Sequence, residues 1–486
     1  MSDRAQRDYP NGVGWQLVKN YRQPNVFGEV QRFLGQNSHY LFANDLPGEY
    51  AYIFGDLLGL WYSKLARNQL RMRYYNGKNH LKDFGISIPP KLQNVETVVG
   101  WPQKSVDMLA VRSRFDGFTA ASANTQAILD RTSTKSRLKA RYRPTVQSEL
   151  IHSCAFGTVG VDESGQARID LHSAEEAAAR WDNAKGRIAY GMVIHAFKNG
   201  MPVEIDVHTE DAIIHAWLTD KGVWDYEIEP ISMGRPTMEV FAYRPTMIKP
   251  MGQSRITRAV MSITDSAVRE ALRTEISAEF FTSPQKYLLG ADEEAFMNTT
   301  KWEAYIGNIF AIGRDEDGQL PQYGQLSQGS MQPHTDYMRS LAARFSGETN
   351  IPISTLGVIH DQPASAEAIY AANEALVIDC EDLNENNRDS LTNLALMAIA
   401  AQLDTPLEDL PEEYRDFTAN FRNPAMPSVV SQTDAMTKLA AVVPGFAGTD
   451  VFWEQVGFPE DMRRKVQQEI QANMGFELVA AINGGE

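Results

Sequence analysis

One helical segment, residues 364–403, constrains the fold of this 486-residue chain more than any other feature. Ser365 can cap its start, and apolar residues recur every three or four positions from Ile369 to Ala398. A helix of about 38 residues is about 57 Å long. That is too long for an ordinary globular domain, so the segment must brace a large assembly or line a surface within one.

Charge is distributed unevenly along the chain, whose net charge is −16. Residues 362–416 contain thirteen Asp and Glu against two Arg, whereas residues 60–145 contain sixteen Lys and Arg against five acidic residues. The net negative charge argues against a protein that coats nucleic acid, because coating requires a basic surface. It remains compatible with a protein that lets DNA pass without gripping it. Such an uneven distribution of charge suits a protein that sits in an oriented assembly or handles a charged polymer.

The length predicts two to four domains, and the 43% apolar content is enough for real cores. Cys154 and Cys380 are far apart and belong to no CxxC or Cys/His spacing, so we interpret them as buried thiols in a reducing compartment. Residues 1–9 are polar, and the apolar run 50–62 is interrupted by glycines and an aspartate. We therefore expect neither a secretory signal nor a membrane span.

Three helices are predicted near the N-terminus, over residues 51–70, 101–110 and 122–130. In the first, Phe54, Leu57, Leu58 and Trp61 recur at helical spacing and indicate a core-facing stripe. A basic run over residues 131–143 follows, and we expect Pro144 to end it. The run is either a solvated charged face or a contact for nucleic acid or an acidic neighbour. Its candidate contact residues are Arg137, Lys139, Arg141 and Arg143.

Residues 146–243 have the texture of an antiparallel sheet, with short β-rich runs separated by turn residues such as Asn199-Gly200. The runs are 155–161, 189–197, 203–208, 212–218, 224–228 and 238–243. A helix inserted into this region is predicted over residues 174–181.

Two helices are predicted to bracket a small module. The first follows Ser254, a suitable N-cap, and continues to residue 281; the second covers residues 334–345. A narrow apolar seam in the first is typical of a helix packed beside copies of itself, although a surface helix looks similar. The module over residues 283–332 should contain strands at 286–289 and 308–312. Helices at 432–441 and 458–473 are predicted near the C-terminus.

No enzyme or metal signature accompanies these patterns. The chain lacks GxxxxGK[ST], GxSxG and HExxH. The stretch 315–318 begins like a calcium loop, but its glycine comes two residues too early. His195, His208 and His215 could meet in the sheet region, where a role within the fold is favoured over a metal site. We expect no cofactor and no metal, and interpret the carboxylates of the long helix as a solvated face.

Several short strings occur in a consistent order along residues 70–370. They are Arg73-Tyr-Tyr-Asn-Gly77, Trp101-Pro-Gln103 leading to Arg114-Phe-Asp-Gly-Phe118, Pro250-Met-Gly-Gln-Ser-Arg-Ile256, Pro284-Gln-Lys-Tyr287, Ile351-Pro352 with Leu356-Gly357, and Ser365-Ala-Glu-Ala368. With the order of predicted elements, they resemble the portal proteins of tailed double-stranded-DNA bacteriophages. The resemblance is to the Bacillus-siphophage type that is common in phages of actinobacteria.

The resemblance implies an α+β portal fold with named regions. The wing would be residues 1–252, the stem helices 253–281 and 334–349, and the clip 282–333. Residues 350–363 would contain the tunnel loop, 364–403 the long wing helix, and 404–486 the crown. Val358, Ile359, His360, Asp361 and Gln362 would face DNA.

The implied function is a ring, usually of twelve copies, at one capsid vertex, through which DNA is packaged and ejected. Arg314, Asp315, Glu316 and Asp317 of the clip would dock the terminase motor and then a head-completion adaptor. The major capsid protein and a scaffold would be further partners. The protein would reside in the virion, and in the host cytoplasm during assembly. Twelve copies with a net charge of −16 each would carry a total charge of roughly −190. The electric field of that charge would repel phosphate, so that DNA slides.

Two alternatives remain open on the residues alone. Another head–tail connector or adaptor ring is one, although such proteins are normally much shorter or β-rich throughout. A packaging enzyme is the other, but a motor ATPase requires a phosphate-binding motif that this chain lacks. We therefore expect a protein without enzymatic activity.

Overall fold

The computed structural model describes residues 46–78, 97–282, 286–289, 322–325, 329–358, 366–425 and 429–458, with a few residues between 462 and 469. The chain divides into two compact units, residues 1–424 and 425–486. Both helices and sheets build the first unit, in agreement with the expected α+β class.

Seven α-helices are described in the first unit. They are α1 (Gly48–Tyr75), α2 (Trp101–Arg112), α3 (Ala123–Lys135), α4 (Leu138–His152), α5 (Arg258–Thr282), α6 (Gln332–Thr349) and α7 (Ala366–Gln402). Short 3-10 turns lie at Ile353–Leu356, Leu407–Asp409 and Glu412–Tyr414. The predicted long helix is confirmed as α7, which has 37 residues.

Twelve strands are described, in four antiparallel sheets. They are β1 (Phe115–Ala120), β2 (Cys154–Val161), β3 (Ala167–Ser173), β4 (Ala177–Asp182), β5 (Arg187–Lys198), β6 (Met201–His208), β7 (Ala212–Leu218), β8 (Trp224–Pro230), β9 (Met238–Ala242), β10 (Lys286–Leu289), β11 (Gln322–Gln325) and β12 (Phe417–Phe421). The strand orders are β4-β5-β6-β7-β8, β3-β2-β9, β1-β12 and β10-β11. The six predicted β-rich runs are confirmed, as is strand 286–289; the predicted strand 308–312 lies outside the described residues.

The apolar stripe of α1 packs on the five-stranded sheet. Phe54, Leu57 and Trp61 are buried there with residues of β5 to β8, and the Phe54 and Trp224 rings meet edge to face at 5.2 Å. Apolar residues at helical spacing give α1 one apolar face, and apolar residues at alternate positions of the strands give the sheet the other. This confirms the predicted core stripe.

Helix α7 packs against the three-stranded sheet and β12, and its buried face begins at Leu376. Its apolar stripe continues to Ala400 within the largest core, which also contains residues of α2, α4, α5 and α6. Gly157 of β2 permits the closest approach, because an added Cβ would lie 2.4 Å from Leu394. The long helix therefore contributes to the core that joins the helices and the three-stranded sheet of the first unit.

Several predictions about local structure are wrong. Residues 174–181 were predicted as a helix, but Ala177–Asp182 form β4, the edge strand beside β5. Two side chains of α1 hold the residues just before β4 by hydrogen bonds. Trp61 donates to the Glu175 carbonyl, and Asn68 donates to the Ala174 carbonyl. Pairing and these bonds outweigh the helical preference of an alanine-rich stretch.

One helix boundary also differs from prediction. Pro144, which follows the basic run, lies within α4, and this helix begins after the left-handed backbone of Arg137 at φ 52°. Ser254 does not cap α5, because that helix begins only at Arg258; the Ser254 Oγ donates to the Ile151 carbonyl at 2.6 Å and accepts from the Ile256 N–H at 3.0 Å. Thr257 takes the cap position, accepting from the Val260 N–H at 3.2 Å.

Strands β1 and β12 were not predicted. Their pairing joins Ala120 to Phe417 and Phe115 to Phe421, about 300 residues apart in sequence. It brings the end of the acidic segment back onto the N-terminal helices, with Phe118 against Phe417 at 5.9 Å between ring centroids.

The second unit contains α8 (Val429–Val442), a 3-10 turn at Phe446–Gly448 and α9 (Asp450–Val456). Four aromatic side chains, Phe446, Phe452, Trp453 and Phe458, pack edge to face in sequence, with centroid distances of 5.3–5.8 Å. The predicted helix at 432–441 is confirmed as α8, whereas most of 458–473 lies outside the described residues.

A buried polar network joins α4 to α7. Asn387 donates to the Tyr142 hydroxyl and to Glu149, each at 2.9 Å. Burial raises the pKa of Glu149 to about 8, although the Asn387 bond partly opposes this shift. The carboxyl is therefore protonated in the folded protein at neutral pH.

We expect the stabilising contribution of protonated Glu149 to the free energy of unfolding to decrease as pH rises. Its folded pKa of about 8 lies above the ordinary 4.5, so its contribution is complete below about pH 4.5 and is lost as pH approaches 8. The slope for this one proton is about 1.4 kcal/mol per pH unit. Urea unfolding between pH 5.5 and 8 measures it.

Glu149→Gln should remove this slope, because the amide cannot ionise. Glu163→Gln, at an exposed turn, is the matched control and should leave it intact. An unchanged slope in Glu149→Gln would show that the carboxyl is not the group responsible.

Candidate functional site at the junction of the paired helices and the long helix

The chain enters the paired helices, α5 and α6, through the tight segment 250–256. Gly252 adopts φ +71°, and an added Cβ would lie 2.6 Å from the carbonyl oxygens of Ser153 and Tyr243. The next residue, Gln253, donates its N–H to the Tyr243 carbonyl at 2.7 Å. Glycine at this position is therefore required for the sheet and the paired helices to meet.

Arg255 is the centre of this junction and is 3% exposed. Its backbone N–H donates to the Leu150 carbonyl at 2.8 Å, and its Nε to the Ser105 carbonyl at 2.9 Å. Nη2 donates to the carbonyl of Thr349, at the end of α6. The side chain of Arg255 thus ties α2 to the end of α6, and its backbone N–H adds α4 just before α5 begins.

Asp379 of α7 completes the network. Its carboxylate is 4% exposed and accepts from Arg255 Nη1 at 2.5 Å and from Arg244 Nη2 at 2.9 Å. The Tyr243 hydroxyl lies 3.0 Å from the same carboxylate and 2.6 Å from Arg255 Nη1. We name Arg255, Asp379, Tyr243 and Arg244 the junction network. A buried charge is tolerated only when it is paired and hydrogen-bonded in this way.

A four-residue turn lies just beyond the junction network. The Lys249 N–H donates to the Thr246 carbonyl at 2.9 Å, and Thr246 returns a bond to Lys249 at 3.1 Å. The two central residues of the turn, Met247 and Ile248, are 100% and 91% exposed. We call residues 246–249 the junction turn.

An open groove of about 320 Å³ runs between α5 and α6 close to the same end. We call it the helix-pair groove. Its lining residues are Ala259, Ser262, Ile263, Arg344, Gly347 and Glu348. The small side chains at 259, 262 and 347 create the space, and nothing lies within 4 Å of a Cβ added to Gly347.

The four basic candidates of α4 and its start are all exposed, but they are not equivalent. Arg141 binds Asp170 at 2.9 Å, and Lys139 lies 3.9 Å from Asp116. Arg137 and Arg143 form no ion pair with another described residue. Arg141 and Lys139 therefore have acidic partners within the monomer, although Asp170 also pairs with Arg168 and Asp116 also pairs with Arg422.

The three histidines of the sheet do not form one site. His195 and His215 each lie 2.8 Å from a different oxygen of Asp206, whereas the buried His208 bonds to Thr237. The Asp206 hydrogen bond raises the pKa of His215 to about 9. Among the described residues no cluster of His, Cys, Asp or Glu is arranged to hold a metal ion.

Cys154 and Cys380 are both buried and unpaired, as predicted, and burial raises their pKa values to about 11 and 12. Thiols with such pKa values are chemically inert at neutral pH. No described helix has the length and apolar character needed to cross a bilayer.

Most of the predicted loop and docking residues lie outside the described residues. This applies to Ile359, His360, Asp361 and Gln362, and to Arg314, Asp315, Glu316 and Asp317. Val358 is described and packs, partly buried, against the largest core.

The junction network was not predicted from the sequence. Asp379 had a detectable signal, because it occupies the same helical face as Leu376, Cys380 and Leu383, where an acid is out of place. It is the exception to the predicted solvated face of α7. Arg255 had no such signal, since its partners come from four separate segments.

Comparisons with known proteins agree on one family. The family model described as "Phage portal protein, SPP1 Gp6-like" matches residues 61–474. The portal proteins of Mycobacterium phages D29 and L5 are each 23% identical over 422 residues. The matches cover 83% of this chain and 86% and 85% of those relatives.

The chain is also similar to chains in solved structures of gene transfer agent particles. A chain of the native virion covers 81% of this chain and 93% of its own length, at 12% identity and a TM-score of 0.43. A chain from the neck of the empty particle, computed with C6 symmetry, has 11% identity and a TM-score of 0.46, with the same coverage.

We expect Arg255→Met to destabilise the first unit by about 3 kcal/mol, because it leaves Asp379 buried with Arg244 alone. Adding Asp379→Asn should recover part of that loss, since the uncompensated charge disappears. Urea unfolding at pH 7 measures both.

Arg258→Met is the control: it removes an exposed charge three residues away and should cost less than about 0.5 kcal/mol. Equal losses in Arg255→Met and Arg258→Met would contradict a structural role for the junction network.

Proposed function

Because the chain belongs to the family of SPP1 Gp6-like phage portal proteins, we propose that its copies form a ring at one capsid vertex, with a central channel for double-stranded DNA. As a member of that family it is a portal protein, a structural component of the head–tail connector, and not an enzyme. The family match over residues 61–474 is the observation that carries this conclusion.

The acidic charge of the chain supports a channel through which DNA moves without being held. Every carboxylate of α7 whose exposure is described is exposed to solvent, except that of Asp379. Exposed acids repel phosphate, and repetition around a ring of copies multiplies the field. DNA would then meet few cations that could release condensed counterions and bind it.

The regions of the portal are assigned as follows in this proposal. Residues 1–252 and 364–403 form the wing, 253–281 and 334–349 the stem, 282–333 the clip, and 404–486 the crown. The antiparallel packing of α5 on α6 supports the stem assignment, because two helices joined through a small module suit a narrow tube. The tunnel loop lies within residues 350–363.

Partner binding follows from these assignments. Residues 314–317 of the clip would contact the terminase during packaging and a head-completion adaptor afterwards. The wing would contact the major capsid protein and a scaffold. The protein would assemble in the host cytoplasm and remain in the virion.

The basic residues of α4 have a narrower role in this proposal than their number suggests. Since Arg141 and Lys139 have acidic partners within the chain, Arg137 and Arg143 are the residues available to packaged DNA or to an acidic neighbour. Cations on the outer surface would not hinder DNA within the channel.

The ring is tested by negative-stain electron microscopy of the purified full chain, alone and co-expressed with capsid protein and scaffold. We expect end-on class averages with a central hole wide enough for duplex DNA, and the number of lobes gives the copy number. Monomers and dimers under all of these conditions would contradict the proposal.

The basic contact is tested by charge reversal in phage particles. Arg137→Asp with Arg143→Glu should lower the yield of DNA-filled capsids at least about fivefold, through loss of attraction to phosphate or acidic groups. Asp is chosen at 137 because it tolerates the left-handed backbone there.

Lys198→Glu with Lys221→Glu, in exposed hairpin turns, reverses the same number of charges and is the control. If Arg137→Asp with Arg143→Glu leaves both assembly and packaging unchanged, Arg137 and Arg143 make no such contact.

A further inference from the structure

The junction turn contradicts the usual chemistry of turns. Tight turns favour Gly, Asn, Asp, Pro and Ser at their tips, because these residues tolerate the backbone and prefer water. Here the two central positions hold Met247 and Ile248, whose side chains are 100% and 91% exposed. Single exposed apolar residues are common, but two adjacent ones at the tip of a turn call for a partner.

The junction turn is also held rigidly, which suits it to insertion. Reciprocal backbone bonds close it, and the Thr246 hydroxyl accepts a further bond from the Lys249 N–H at 3.1 Å. The Gly252 N–H donates to the Lys249 carbonyl at 3.0 Å and fixes the turn to the entry segment of α5. Little conformational entropy remains to be lost on binding.

The helix-pair groove has the features that such a turn requires. Its volume is about 320 Å³, Ala259 and the largely buried Ile263 are among its lining residues, and small residues at 259, 262 and 347 leave it open. Glu348 lines the groove and can face Lys249, while Arg344 lies one helical turn away. This charge arrangement favours one direction of entry for the turn.

Rotational symmetry imposes a condition on the junction turn and the helix-pair groove. Rotation about a ring axis does not change height along that axis, so surfaces that meet between neighbours must lie at the same level. Arg255 binds both Tyr243, three residues before the junction turn, and Thr349, one residue after Glu348. The turn and the groove are therefore held at the same end of the paired helices.

We infer that the junction turn of each copy inserts Met247 and Ile248 into the helix-pair groove of the neighbouring copy, with Lys249 facing Glu348 of that neighbour. This inference rests on the ring proposed above. The contact is head-to-tail, using two different surfaces of one chain, and such a contact closes into a ring when the rotation permits.

Engineered cysteines test this contact in the full chain, whose two natural thiols are buried. Ile248→Cys combined with Gly347→Cys should yield, under mild oxidation, a ladder of covalent oligomers on non-reducing gels. A disulfide forms only where Cβ atoms approach to about 3.5–4.5 Å. Each single variant, and Ile248→Cys with Glu163→Cys at an exposed turn, should remain monomeric on the same gels.

Mass photometry of the same samples separates failure of the contact from failure of the ring. Rings with a ladder support the inference. Rings without a ladder overturn the contact and leave the portal proposal intact, whereas no assembled species at any concentration counts against both.

A second variant measures the apolar contribution. Met247→Ser with Ile248→Ser should raise the protein concentration for half-assembly at least about tenfold, because two apolar side chains lose their burial. The thermal unfolding temperature of the unassembled chain should not fall, since both side chains are exposed there. Unchanged assembly would overturn the inference.

Discussion

The buried charge of Asp379 is the constraint on which the rest of the first unit depends. An ionised carboxylate removed from water costs several kcal/mol unless cations and hydrogen bonds surround it. Arg255 and Arg244 supply the cations, and Tyr243 supplies a hydroxyl. Because Arg255 also binds carbonyls of α2 and α6, satisfying this charge sets the long helix, the sheet and the paired helices in one arrangement.

This arrangement has a consequence for an assembly. In a ring, force on the paired helices must reach the outer elements through the segment between them. The junction network lies on that route, and hydrogen bonds from Arg255, Arg244 and Tyr243 converge on the one Asp379 carboxylate. The junction turn and the helix-pair groove are attached to the same network, so the two surfaces proposed to meet a neighbour are held by contacts of the core.

The charge distribution acts at two levels. Within the monomer, Lys135 and Arg141 pair with Asp162 and Asp170, which lie outside residues 60–145, and Lys139 lies near Asp116 inside that range. These pairs offset a small part of the basic excess. Exposed ion pairs of this kind contribute little stability, but they reduce the charge available to partners. The exposed acids of α7 are matched less, apart from the Arg388–Glu385 pair. The chain therefore presents a predominantly acidic surface along its longest element.

The sequence by itself determined the elements whose signal is local. Helical spacing located α1, α5, α6 and α7, and alternating runs located most strands, because each pattern repeats within one segment. The family resemblance likewise came from short strings. Only the tertiary structure decided the rest. Residues 177–182 form the strand β4 because they pair with β5 and lie against α1. Strand β1 pairs with β12, which is about 300 residues away in sequence. The junction network is the same case, since Arg255 and Asp379 meet across 124 residues and neither carries its partner in its own sequence neighbourhood.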